Sequence, residues 1–121
     1  MDKENILLNR SLRNLGETEH FEWVLWDLDD TLLRRDGKPD PDALASLYDY
    51  HNRGIKQILL TKNSQAKELI KLHKIPDIFL DIRITNDKLT ELENLMGVYR
   101  ILASNCVMIN DSYTENLAIQ K

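Results

Sequence analysis

Four short apolar runs constrain this chain more than any other feature. They are residues 21–28 (FEWVLWDL), 55–60 (IKQILL), 78–84 (IFLDIRI) and 105–109 (NCVMI). Each is too short for a buried helix and apolar enough for a buried strand. Between them the spacing turns helical. Residues 41–53 form a helix with Asp40 as N-cap, Pro41 at the first position and Gly54 as the stop. Residues 64–74 form a second, closed by Pro76. Residues 88–102 carry Leu89, Leu92, Leu95, Met96, Tyr99 and Leu102 at the repeat of an amphipathic helix. Residues 112–120 begin another helix, and Ile6, Leu7, Leu8, Leu12 and Leu15 mark one leading helix within residues 1–20. Strands that alternate with helices require right-handed crossovers, and so a mostly parallel sheet in an α/β domain.

A chain of 121 residues holds one domain and one core. We read residues 1–20 as an N-terminal extension and residues 21–121 as that domain. The balance of 16 basic and 20 acidic residues gives a net charge of −4, which argues against general nucleic-acid binding but leaves room for a local basic patch. One cysteine excludes an intrachain disulfide and a cysteine-based zinc cluster. No apolar run approaches the roughly 18–20 residues of a membrane span, and the charged N-terminus lacks a signal-peptide pattern. A cytoplasmic protein with no membrane partner is the expectation.

Open parallel sheets bind ligands beyond the carboxyl ends of their strands. The polar residues just past those ends are Asp27, Asp29 and Asp30 after the first run, Thr61, Lys62 and Asn63 after the second, and Asn110 and Asp111 after the fourth. Asp27 and Asp29 are two apart and share a side of an extended segment. With Asp111 they make a hard, oxygen-rich site of the kind magnesium prefers. A carboxylate can attack phosphorus, and a second can give a proton to the leaving group and later take one from water. A threonine hydroxyl and a lysine ammonium can hold the phosphoryl oxygens.

The stretch WDLDDTLL resembles the first motif, DxDx(T/V), of the haloacid dehalogenase (HAD) superfamily of phosphohydrolases. Further stretches are similar to its other motifs, in order. ILLTKNS ends a strand in Thr61, Lys88 opens the helix before the last motif, and VMINDSYTENL follows a strand with Asp111 and Glu115. The resemblance implies a Rossmann-like three-layer sandwich and a phosphomonoester hydrolase acting through an aspartyl-phosphate. It assigns Asp27 as nucleophile and Asp29 as general acid/base. Mg²⁺ would sit on Asp27, the backbone carbonyl of Asp29, and Asp111. Thr61, Lys62, Asn63 and Lys88 would hold the substrate phosphate. Asn110 stands where many members carry Asp or Gly, which would weaken the metal site by one charge if the acidic form is the relevant one.

The spacing leaves no room for a lid domain, so the likeness is to the cap-less group, such as small magnesium-dependent phosphatases. An open site suits a large phosphorylated substrate, including a macromolecule. The TKNS stretch also resembles enzymes that load a glyceryl group onto a carrier protein, so phosphoryl or glyceryl transfer stays open, as does a non-catalytic binding module. The chain ends at Lys121, soon after the fourth motif, where the family core usually continues to another strand and helix; either the natural chain runs on, or the core lacks its last strand and has an exposed sheet edge that could pair with a second copy. Arg34, Arg35 and Lys38 follow the acidic motif closely, either to select an anionic substrate or as a solvated basic loop. Cys106 reads as a buried inert thiol, Trp23 and Trp26 as packing residues, and His20, His51 and His73 as structural or surface residues.

Overall fold

The computed structural model describes residues 9–10 and 21–109. Its strands are β1 (Asn9–Arg10), β2 (Trp23–Trp26), β3 (Lys56–Thr61), β4 (Asp81–Ile84) and β5 (Cys106–Ile109). Its helices are α1 (Pro41–Asn52), α2 (Ala66–Leu72) and α3 (Lys88–Val98). All strands pair in parallel, in the order β1-β5-β2-β3-β4. The fold is the expected α/β three-layer sandwich.

Side-chain alternation along β2 builds two cores. Val24 and Trp26 join Leu59, Val107 and Ile109 under Ala43, Leu47 and Tyr50 of α1 and Ala66 and Ile70 of α2. Trp23 and Leu25 face the other way, with Ile58, Leu60, Cys106 and Met108 under Leu92 and Leu95 of α3. The two tryptophans therefore pack on opposite faces. Trp26 buries its indole completely, and its Nε1–H donates to Gln57 Oε1 at 2.7 Å. Gln57 in turn donates from Nε2 to Leu47 O at 3.0 Å, so a neutral polar pair is satisfied inside the first core.

The chain steps outward from β2 to β3 to β4 with α1 and α2 on one face. It then returns over the sheet, through α3 on the other face, to β5 on the far side of β2. A fixed crossover hand requires this change of face when the direction reverses. The reversal leaves a switch point between β2 and β5, where Trp26 pairs with Ile109 and the Asp27 N–H donates to Ile109 O at 3.2 Å.

The three helices among the described residues close in the same way. The isoleucines Ile55, Ile75 and Ile101 donate their backbone N–H to Tyr50 O, Ile70 O and Met96 O, and the residue before each takes a left-handed conformation. These are Schellman caps, with an apolar residue folded back onto the helix. Gly54 meets the conformational demand at no steric cost, whereas Lys74 (φ 55°) and Arg100 (φ 54°) meet it without being glycine. The caps end α2 at Leu72 rather than 74 and α3 at Val98 rather than 102. Leu102 lies beyond the helix and is exposed.

The leading helix expected in residues 1–20 is not what Asn9 and Arg10 form. They pair as a strand with Met108 and Ile109, so β5 carries β1 on the side away from β2. The unpaired backbone groups of a sheet edge are a stronger local demand than helical spacing over a few leucines. The rest of that stretch, and the helix expected at 112–120, lie outside the described residues. Among the described residues no helix is long and apolar enough to cross a membrane.

Candidate active site

Asp27 is the residue directly after β2, at the switch point, and its side chain is buried. By the alternation of β2 it falls on the α3 face. Asp87 caps α3, accepting from Thr90 N at 3.2 Å and from Thr90 Oγ1 at 2.7 Å. Those bonds hold the Asp87 carboxyl below the ordinary aspartate range. Lys88 is the first residue of the helix so capped. As α3 packs across β3, β2 and β5, its N-terminal end delivers the Lys88 ammonium to 3.1 Å from Asp27 Oδ1, with both side chains 7% exposed. The Leu28 N–H donates to the same oxygen at 2.9 Å. Two groups 61 positions apart in sequence thus meet as a buried, hydrogen-bonded ion pair.

Thr61 ends β3 and is buried, and its Oγ1 accepts from Asn63 N at 3.1 Å. The Thr85 N–H donates to Thr61 O at 2.9 Å, which extends the β3–β4 pairing past the strand ends and sets the turn that leads to Lys88. Asn63 ties this loop to the first motif. Its Nδ2 lies 3.2 and 3.4 Å from the two carboxylate oxygens of Asp29, and its Oδ1 accepts from Gln65 N at 2.9 Å. Both ends of the Asn63 amide are therefore engaged, and it positions Asp29. Asp29 is exposed, two residues past the buried Asp27. Asp30 follows in a left-handed conformation (φ 60°) that turns the chain sharply. Thr31 is buried beneath the loop. Lys62 is exposed on the loop between Thr61 and Asn63.

Asp111, Glu115 and Asn110 lie outside the described residues. Among the described residues no group of three His, Cys, Asp or Glu side chains forms a metal cluster. The donors at this end of the sheet, the Asp27 and Asp29 carboxylates and the adjacent main-chain carbonyls, are all hard oxygens, which in kind fits magnesium. Cys106 stands at the opposite end of β5, and burial pushes its thiol up to about 12, so it is an inert core residue. A cavity of about 380 Å³ between α2 and β4, lined by Lys67, Ile70, Lys71, Lys74, Ile75, Asp77 and Ile82, contains none of the residues around Asp27.

Two polar arrangements escaped the sequence reading. One is the Trp26–Gln57 pair, for which a glutamine inside an apolar strand was the available signal. The other lies on β4, where Asp81 accepts from Tyr99 Oη at 2.7 Å and from Arg83 Nε at 2.9 Å, while Arg83 Nη1 reaches Glu91 at 3.4 Å. Nothing in the local sequence marks that second group.

No family model matches the chain, and no curated protein matches it. Among solved structures, it is similar to a hypothetical protein from Xanthomonas campestris, with a TM-score of 0.62, 16% identity, and coverage of 91% of this chain and 68% of that one. At that identity the likeness is one of fold.

Proposed function

We propose that the chain is a phosphomonoester hydrolase of the HAD type that works through a phosphoryl group carried on Asp27. The observation that carries this reading is the buried Asp27–Lys88 pair at the switch point of a parallel sheet, 3.1 Å apart, with Thr61 and Asp29 joined to the same end through Asn63. A structural ion pair has no need of that address. A nucleophile does, because ligands approach such sheets there.

In this reading the Asp27 carboxylate attacks phosphorus, and the ester P–O bond breaks as the new one forms. Lys88 keeps Asp27 anionic and oriented, and its ammonium also faces the incoming phosphoryl oxygens. The Thr61 hydroxyl, held by the Asn63 N–H, donates its own proton to a phosphoryl oxygen. Asp29, aimed by Asn63, gives a proton to the leaving alcohol and takes one from the water that hydrolyses the aspartyl-phosphate. Magnesium, held by Asp27, the Asp29 carbonyl and Asp111, would supply charge neutralisation between the anionic nucleophile and the anionic ester.

Phosphate release from p-nitrophenyl phosphate, measured with Mg²⁺ and with EDTA, tests this. Metal-dependent release that disappears in both Asp27→Asn and Asp29→Asn is the expected result. Asp29→Asn is the cleaner control, because Asp29 is exposed and its replacement leaves the Lys88 pair intact. Undiminished turnover in Asp27→Asn would overturn the mechanism.

A further inference from the structure

The chain between Leu33 and Pro39 forms a tight hairpin on the rim of this site. Leu33 and Pro39 make an antiparallel bridge, Arg34 N donates to Lys38 O at 2.8 Å, and Gly37 N donates to Arg34 O at 2.8 Å, with Gly37 at φ 83°. Its root is fixed. Leu32 and Leu33 are buried in the core, Leu33 N donates to Leu28 O at 2.8 Å, and Asp40 N donates to Leu32 O at 2.9 Å. A second bridge joins Leu33 to Asp29 itself. The hairpin is therefore held to the proposed acid/base residue by backbone pairing.

Its charges are unevenly used. Arg34 lies 3.6 Å from Asp36, whose Oδ1 also accepts from Lys38 N. Arg35 is different. Its side chain is 96% exposed, and its Nε stands 4.0 Å from Asp30 Oδ1, next in sequence to Asp29. At that distance and exposure the pair with Asp30 is weak. A guanidinium on a rigid root at the mouth of an anion site offers a planar fork suited to carboxylate or phosphate, with only its own side chain left to order on binding. A protein of net charge −4 has placed three cations against one acid on this hairpin.

We propose that Arg35 binds a second anionic group on the substrate. The preferred class is then phosphate monoesters whose leaving group carries a carboxylate or another phosphate. This rests on the reading of Asp27 as the phosphoryl acceptor. A neutral leaving group would leave the guanidinium in water. Arg35 here is a specificity residue, since it touches the part of the substrate that does not react.

The test compares phenyl phosphate with its para-carboxylate and para-phosphate analogues. Wild-type protein should show kcat/KM higher by about tenfold or more for at least one anionic analogue. The two analogues distinguish a carboxylate from a phosphate as the group recognised. Arg35→Ala should collapse that ratio, and Arg35→Lys, which keeps charge but loses the fork, should restore it only in part. Arg53→Ala, at the exposed C-terminal cap of α1 beside Asp49, is the charge-matched control and should keep the full ratio. The preference should also shrink as salt is raised. Equal kcat/KM for all three esters in wild type, or an unchanged ratio in Arg35→Ala, would overturn the proposal. Should no ester turn over, the hydrolase reading falls and binding decides the hairpin separately. Benzylphosphonate and its para-carboxylate and para-phosphonate analogues are titrated into wild type and Arg35→Ala by calorimetry. Tighter binding of an anionic analogue that depends on Arg35 retains the anion site, and equal or undetectable binding removes it.

Discussion

Two carboxylate–cation pairs in this molecule have nearly the same length and very different environments. Asp27 and Lys88 meet at 3.1 Å with side chains 7% exposed, whereas Asp81 and Arg83 meet at 2.9 Å with Arg83 38% exposed and Asp81 23%. Distance alone would rank the second as the stronger. Burial reverses the ranking, because removing one partner of a buried pair strands a charge away from water, while water screens a half-exposed pair. The pairs also differ in neighbours. Asp81 has Tyr99 and Arg83 around it, and Arg83 has Glu91, which together brace β4 against both ends of α3. Asp27 and Lys88 lie buried at the end of β2, with the exposed Asp29 two residues further along the chain. One arrangement stiffens an edge strand, and the other holds charge at the strand end where the proposed substrate would arrive.

The largest effect that separates them is catalytic. On the proposed mechanism Asp27→Asn loses roughly four orders of magnitude or more in kcat, since a removed nucleophile has no substitute. Arg83→Ala should leave phosphate release near the wild-type rate, and a comparable loss there would erase the distinction. Stability gives the next contrast. Lys88→Met should cost about 3–5 kcal/mol in urea unfolding, because the buried Asp27 charge loses its ammonium. Asp27→Asn shares part of that penalty through Lys88, so its fold should be checked by circular dichroism before its activity is read. Gln57→Leu lies between the extremes. It leaves the buried Trp26 Nε1–H without an acceptor and should cost about 1–3 kcal/mol, and a neutral result would mean the indole has another partner. Arg83→Ala should cost only about 0.2–1 kcal/mol after allowance for solvent screening.

The smallest effect is one of pH. Burial pushes the Asp81 carboxyl up, but the hydrogen bonds from the Tyr99 hydroxyl and Arg83, with the guanidinium charge, outweigh it and leave the group below its ordinary value. A lowered folded-state value means the contribution is complete above the unfolded aspartate pKa of about 3.9 and is lost as pH falls through the folded value. The stability gap between wild type and Arg83→Ala should therefore be constant near neutrality and close in acid. Urea midpoints from pH 7 down to pH 2 measure this, and a gap that widens in acid would contradict the assignment.

Much of this was legible in the sequence where the signal is local. Asp40 accepts from the N–H groups of Asp42 and Ala43, Pro41 opens α1, and Gly54 closes it, as their chemistry requires. The four apolar runs became β2 to β5, and the residues picked out at their ends include Asp27, Asp29 and Thr61 at one edge of the sheet. The closures of α2 and α3 were not legible. Lys74 and Arg100 are left-handed because Ile75 and Ile101 fold back into the cores, and neither residue type announces that conformation. Nor could a list of strand-end residues say that the Asn63 amide would be taken up by Asp29 and Gln65.

The sequence by itself determined the alternation of strand and helix, and so a parallel sheet whose strand ends collect Asp27, Asp29 and Thr61. These follow from periodicity and capping, which act over a few residues. Only the tertiary structure decided which charges meet. The Asp27–Lys88 pair forms because α3 crosses β3 and β2 to lay Leu92 and Leu95 on their far face, and that packing sets where the capped end of the helix falls. The same holds for Asn9 and Arg10, which pair as strand because β5 presents an edge to them. In both cases the deciding partner lies far away in the chain, where no local pattern can register it.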